Sequence, residues 1–416
     1  MHPFATHVLH SYYRATGWNE DNLYTNLTRS SSAILDFTVP RGLHFHMSKS
    51  PNPLYKTTWS LNALPSLNGS VGYIFSSCDL DVKGSSSVRL KDMVERFKIY
   101  DRPREPEERE EVWQGGKRID TRDYLLYGRF YIPTSRLDAL YCTRLSPTLQ
   151  AVVASISDLR SRTPAQTLRG NAEPTGMSNV MFSLQHDTGR WCSEYSWSAD
   201  DGMWGARVLH NFGRLAGEEE REKRDHGKRV DEEDAMEGGL KGRWSAGAEF
   251  YFSAQEKSAG VSIAGQFTTL PDATPPYGQP QSPPASFPSQ PPTTITGIFN
   301  PMMGHLSAAY AARVSRDVAL CSRFDFNVYS YDSEWTMGTE WWLRKRKNPA
   351  ENDDPGKGDD VRGVVKARVS TNTNISLMWE GRLRSTLVSL GVVSDLASRA
   401  KPIKAIGLEI SYFSSE

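Results

Sequence analysis

The residues with the greatest chemical capacity are few and poorly grouped. His44 and His46 stand two apart in Leu43-His44-Phe45-His46-Met47. In an extended segment both side chains point the same way and could share a metal ion. No motif places a carboxylate or third histidine beside them, so two polar side chains facing a lumen is the better reading. Cys78, Cys142, Cys192 and Cys321 form no C-x-x-C pair, and neither zinc nor a disulfide framework is expected. The chain has no H-E-x-x-H, no G-x-S-x-G, no P-loop and no G-x-G-x-x-G opening a helix. Asn26-Leu27-Thr28, Asn68-Gly69-Ser70 and Asn374-Ile375-Ser376 match the glycosylation pattern. Met1-His2-Pro3-Phe4 begins neither a signal nor a transit peptide, so these read as chance matches. Catalysis, a metal and a cofactor are all unexpected.

Attention therefore shifts to the elements themselves. The 416 residues carry 49 basic and 49 acidic side chains, a balance that does not favour nucleic acid or an acidic partner. Mean hydropathy is −0.53, and no run approaches the roughly 18 apolar residues of a membrane helix. That excludes a helical membrane protein but not a membrane barrel, whose alternating strands dilute the signal. The 11 Trp and 17 Tyr suit interfacial girdles or a soluble β-rich core equally.

Pro3 to Thr16 reads as a short helix, with Phe4, Val8 and Tyr12 on one face and Gly17 as its stop. It suits a cap on the domain or a plug in a lumen. From Ala33 the period becomes two: Ala33, Leu35, Phe37 and Val39 alternate with Ile34, Asp36 and Thr38, and Pro40-Arg41-Gly42 turns the chain. Strand-like segments then run to the end. The clearest sets Trp244, Ala246, Ala248, Phe250 and Phe252 against Arg243, Ser245, Gly247, Glu249 and Tyr251; the last alternates Ile406, Leu408, Ile410 and Tyr412 with Gly407, Glu409 and Ser411. The tally is roughly nineteen to twenty-one segments of barrel-strand length. Residues 1–32 form a helix and lead-in, and 33–413 a single unit with long charged or Pro-rich loops near 83–122, 213–242, 269–293 and 344–360. Between Gly217 and Lys241 alone stand ten acidic and six basic residues.

Serial soluble sandwiches and one transmembrane barrel both fit such a chain. No composition break marks hundred-residue domains. One face of the strands is rich in Trp, Phe and Val, and short turns alternate with long excursions as on the two rims of a barrel. These features favour an all-β transmembrane barrel, antiparallel throughout its hairpins. The basic lean of the opposite faces would favour anions in an open lumen.

An ordered set of short motifs then resembles one family. It includes Leu35-Asp36-Phe37 with Pro40, Tyr127-Gly128-Arg129, Arg144-Leu145-Ser146-Pro147, Arg207 to Phe212, Gly247-Ala248-Glu249-Phe250, Asn300-Pro301 with Gly304-His305, Phe324 to Ser330, and Trp379-Glu380-Gly381. Together they resemble the fungal mitochondrial distribution and morphology barrel, a subunit of the ER–mitochondria encounter structure, over almost the whole chain.

The resemblance implies a mitochondrial porin-like barrel of about 19 strands, first and last parallel, with an N-terminal helix, integral to the mitochondrial outer membrane. It implies an anchor for a complex that tethers mitochondria to the endoplasmic reticulum and supports phospholipid exchange and mitochondrial shape. It also implies work with the sorting and assembly machinery in building the outer-membrane translocase. By motif, the family's partner-binding aromatics fall on Tyr73 and Phe75 and on Phe324 and Phe326, the first pair assigned to the encounter structure and the second to the assembly machinery. The last strand resembles the mitochondrial insertion signal, with Gly407, Ile410 and Tyr412 in their slots and Ala405 where a polar residue belongs. A pore for ions or metabolites and a soluble binding protein are the competing functions.

Overall fold

A computed structural model describes residues 3–80, 82–100, 102–106, 123–158, 178–213, 215, 242–270, 291–344, 361–397 and 402–415, with the backbone of a two-residue ladder at 113–114 and 117–118. Nineteen strands form one sheet. In chain order they are β1 Gly42–Ser50, β2 Tyr55–Leu64, β3 Asn68–Ser76, β4 Tyr124–Ile132, β5 Arg136–Ser146, β6 Leu149–Asp158, β7 Ser178–Asp187, β8 Trp191–Ser198, β9 Met203–Asn211 and β10 Gly242–Ser253. They continue as β11 Ser258–Thr269, β12 Thr293–Asn300, β13 His305–Arg313, β14 Val318–Asn327, β15 Ser333–Arg344, β16 Val361–Ser370, β17 Asn374–Leu383, β18 Thr386–Asp395 and β19 Ile403–Ser415. Each pairs antiparallel with the next, and β19 returns to pair with β1 in parallel, from Gly42 opposite Gly407 to Ser50 opposite Ser415. An odd number of hairpin-connected strands can close only with one parallel seam. The sheet is a closed barrel with no free edge.

The alternation sorts the side chains. On β1, Phe45 and Met47 point outward, while Ser48 is buried on the lumen side with His44 and His46 beside it. On β10, Trp244, Phe250 and Phe252 face outward and Ser245 inward. We call the rim where β1 begins the near rim and the other the far rim. Near-rim joins are three to seven residues long, except 159–177. The strand ends flanking 77–123, 212–241, 270–292 and 345–360 all lie at the far rim.

Two segments depart from the expected strands. The period-two reading of Ala33 to Val39 fails: α2 is a helix, Arg29–Leu35, with Ile34 and Leu35 both 0% exposed. It lies inside the barrel against β13 to β16, where every side of a helix is covered and alternation carries no directional information. Conversely β12 lies where no strand is expected. Its outward row, Ile295, Gly297 and Phe299, is broken by a glycine, and its inward row, Thr294, Thr296 and Ile298, includes an isoleucine. The expected helix is present as α1, Pro3–Thr16.

The lumen is occupied by the chain itself. Phe4, Val8 and Tyr12 of α1 pack with Ile74, Leu125 and Phe413 of the wall. The long charged loop expected near 83–122 turns inward over its described part: Val88, Leu90, Phe97 and Tyr100 are buried, and a short helix α3 spans Leu90–Met93. The composition around these four side chains is charged, but each is large enough to drive burial alone. The residues called loop at 107–112, 115–116 and 119–122 lie outside the described set.

Candidate functional site

The inward-facing charges hold the lumen segments in place. Lys366, 2% exposed, donates from Nζ to the Ala33 carbonyl at 2.9 Å and to the Glu95 carbonyl. Arg368 donates to the Leu35 carbonyl at 2.8 Å. Arg323 bridges Asp36 at 2.7 Å and Asp325 at 3.0 Å. Glu340 accepts from the Phe97 N–H at 3.1 Å and from the Trp342 indole at 2.6 Å, while Arg313 donates to the Phe97 carbonyl. These side chains satisfy the backbone of α2 and of the 82–106 insert, which would otherwise bury unpaired carbonyls. The open, anion-favouring lumen expected from the basic inner faces is therefore replaced, over the described residues, by a packed one. His44 hydrogen-bonds Asn62 and the Arg41 carbonyl, both at 2.7 Å, and His46 approaches Glu409 at 3.3 Å. Among the described residues no group of three or more His, Cys, Asp or Glu could hold a metal.

The outside of the wall carries the candidate partner residues. Tyr73 and Phe75 point outward near the far-rim end of β3, Tyr73 being 52% exposed. Tyr73 stacks on Tyr55 with ring centroids 6.0 Å apart; Phe75 meets Tyr124 at 6.1 Å, and Tyr124 meets Tyr141 at 6.5 Å. The row crosses β2 to β5. Phe324 and Phe326 point outward at the near-rim end of β14, their rings nearly parallel at 9° with centroids 6.3 Å apart. Trp335 of β15 pairs in register with Phe324 and donates its indole N–H to Ser322 at 2.7 Å. β3 and β14 are eight strand steps apart one way round the 19-stranded barrel and eleven the other. The two aromatic pairs thus occupy opposite walls and opposite rims.

They sit within two rings of exposed aromatics. Trp191, Trp244 and Trp341 mark the far rim, and Trp204, Phe252, Phe324 and Trp335 the near rim. Trp244 and Phe252 are eight residues apart on β10. At about 3.3 Å per residue and a barrel tilt of 35–45°, the rings stand about 20 Å apart, close to the apolar band of membrane barrels.

At the seam, Gly407 faces the lumen directly beneath the chain entering β1. A Cβ placed on it would run into the Pro40 carbonyl and lie 2.8 Å from the Arg41 nitrogen. Gly391 of β18, opposite Gly407, similarly lies under the Val39 and Pro40 side chains. Ile410 and Tyr412 face outward. Past the end of β18, the overhanging tip of β19 is held by the insert: the Ser85 N–H donates to the Phe413 carbonyl at 3.0 Å, and the Phe413 N–H to the Ser85 hydroxyl at 3.2 Å.

Residues 1–359 and 356–415 match the sequence profile described as mitochondrial distribution and morphology protein 10. The chain belongs to that family. The Postia placenta protein of that name is 66% identical over 450 residues covering 100% of both chains, and the Laccaria bicolor protein 65% identical over 442 residues, again with 100% of each covered. The Cryptococcus neoformans protein is 41% identical over 99% of each. Membership makes this a mitochondrial β-barrel protein with a part in mitochondrial distribution and morphology, and its relatives are named for that part and not for a reaction. The family's short motifs fall mostly on strands and turns of the wall. The basic lean of the inner faces says nothing of what Lys366, Arg368 and Arg323 hold, and the sequence signals neither Gly391 nor the entry of the expected 83–122 loop into the lumen. Only the crowding of Gly391 against Val39 and Pro40 could have exposed it, and a single sequence does not bring those distant segments together.

Proposed function

We propose that the chain is an anchor in the mitochondrial outer membrane, holding the ER–mitochondria tethering complex that supports phospholipid exchange and mitochondrial distribution. In this reading it also joins the sorting and assembly machinery during assembly of outer-membrane proteins. The observation that carries the reading is the filled lumen: with inward charges engaged by α2 and the insert, the surfaces left to act are the outer wall and the rims. Two aromatic patches on opposite walls suit two separate protein partners, since exposed aromatics are efficient anchors at contacts. The aromatic rings and the apolar band between them support membrane insertion.

The test joins three measurements on the full chain. Carbonate extraction should leave it in the membrane pellet. Mild detergent should co-purify tethering and assembly-machinery subunits. In planar bilayers it should be silent; steady, selective conductance of the unaltered protein would instead establish a porin-like channel.

A further inference from the structure

At the near rim the turns 301–304 and 328–332 stand side by side, because β13 and β14 pair with each other. The two turns are fastened together. The Val328 N–H donates to the Gly304 carbonyl at 2.7 Å, the Tyr329 hydroxyl to the Pro301 carbonyl at 2.8 Å, and the Asn327 amide to the Met303 carbonyl at 3.3 Å. Asn300 Oδ1 accepts from the Met302 and Met303 N–H groups, both at 3.1 Å. Turn residues are ordinarily small or polar. This pair instead displays Met302, Met303, Val328, Tyr329 and Tyr331, all exposed. Asn327 ends β14 three residues beyond Phe324. At the tilt of barrel strands the turns therefore rise about 8 Å past the near-rim aromatics, through most of a headgroup layer and towards water.

Tyr331 shows that this display is not incidental. Its φ is 59°, a left-handed conformation that a bulky residue rarely takes. The ring gains nothing inside the protein in return: it is 79% exposed and makes no hydrogen bond or ring contact with a described residue. Strain kept without an internal contact points to an external one. The edge of the patch is acidic. The Asp332 carboxylate is exposed and has no partner among the described residues, Glu334 accepts from the Ser370 hydroxyl, and neither turn holds a lysine or arginine. An acidic edge repels anionic headgroups and suits a protein partner bearing positive charge.

We propose that the two turns form a docking platform for a basic amphipathic helix lying along the near rim. Its apolar face meets the methionines, whose flexible side chains adapt to a helix surface. Its lysines or arginines meet Asp332 and Glu334. Phe324 and Phe326 continue the same face down the wall, so the helix belongs to the partner that those rings hold, and the inference rests on that reading.

The test expresses the full chain in fungal mitochondria and reads the assembly-machinery complex on native gels. Met302→Ser, Met303→Ser and Tyr331→Gly combined should lower it about tenfold, and Asp332→Lys severalfold. Tyr331→Gly alone relieves the strained turn. The denaturant midpoint of the purified barrel should therefore hold or rise while the complex falls, whereas a merely structural role would lower both. With Tyr331→p-benzoylphenylalanine, ultraviolet light should give a protein adduct within a lysine- or arginine-bearing helix, in the same subunit that crosslinks from position 324. A full complex in the turn variants, beside one lost in Phe324→Ala with Phe326→Ala, would overturn the platform and spare the wall contact. A full complex in both sets would overturn the two together. Adducts to phospholipid alone, or to a segment without basic residues, would also overturn the platform.

Discussion

Gly407 of the last strand lies directly beneath the backbone of Pro40, in the segment that leads into the first strand. Any side chain at Gly407 must displace that backbone, and with it the parallel pairing of Gly42 with Gly407. The position therefore matters to the finished barrel as well as to any insertion signal. Gly407→Val should cost about 1–3 kcal/mol by overpacking, whereas Ile410→Leu on the outer face should cost less than 1.5 kcal/mol. Denaturant melts of refolded protein in detergent check both. A Gly407→Val barrel as stable as the parent would confine the residue to an insertion role.

Lys366 and Arg368 tie α2 and the insert to β16. Replacing both with Met should strand the Ala33 and Leu35 carbonyls, at about 1–3 kcal/mol each. The lumen segments should loosen while the hydrogen-bonded wall persists. In planar bilayers the double variant should then conduct where the parent is silent, and protease should cut within residues 17–40. Silence together with full protection would mean that apolar packing alone seats these segments.

Acid should loosen the same assembly. His10 meets Glu20 at 2.7 Å, and Arg29 and Lys98 stand nearby. Burial alone would raise the Glu20 carboxyl, but the His10 hydrogen bond and the charges of His10, Arg29 and Lys98 outweigh it and hold Glu20 below its ordinary 4.5. A depressed carboxylate contributes stability above its unfolded value, and that contribution is lost as pH falls through the folded value. Hydrogen exchange in the lead-in should therefore accelerate below about pH 4.5. Glu20→Gln should flatten this component of the profile; an unchanged profile would remove Glu20 as its source.

The two aromatic faces should be separable. Tyr73→Ala with Phe75→Ala, and Phe324→Ala with Phe326→Ala, each remove outward rings with no lumen contact, so the barrel should stay inserted. Native gels should show the first pair weakening the tethering complex and the second the assembly-machinery complex, by about tenfold or more if these are anchors. Because the faces occupy opposite walls, a single barrel should carry both partners at once in a ternary pull-down. Equal retention of both complexes by both variants would reduce these rings to lipid-facing residues.

The wall was legible where one face of a strand is uniformly apolar, as from Trp244 to Phe252. It was illegible at Thr293–Asn300, where a glycine interrupts the outer row and an isoleucine enters the inner one. The interior was harder for a physical reason. Ala33 to Leu35 is covered on all sides, so its sequence carries no inside-outside contrast, and Val88 to Tyr100 hides four buried side chains among charges. The positions of Tyr73 and Phe326 on their strands could be counted from sequence; that they fall at opposite rims follows only once each strand's direction is fixed.

The rings of Phe4 and Phe413 lie 5.0 Å apart. The chain starts beside its own final strand, descends through the lumen, enters the wall at Pro40 and circles back to where it began. In its contacts the polypeptide is already nearly a ring. A circular permutant of residues 3–415, with a short linker joining Pro3 to Ser415 and new termini opened in the turn at 328–332, should refold to the same barrel, which would show that closure does not depend on the order in which the strands are made.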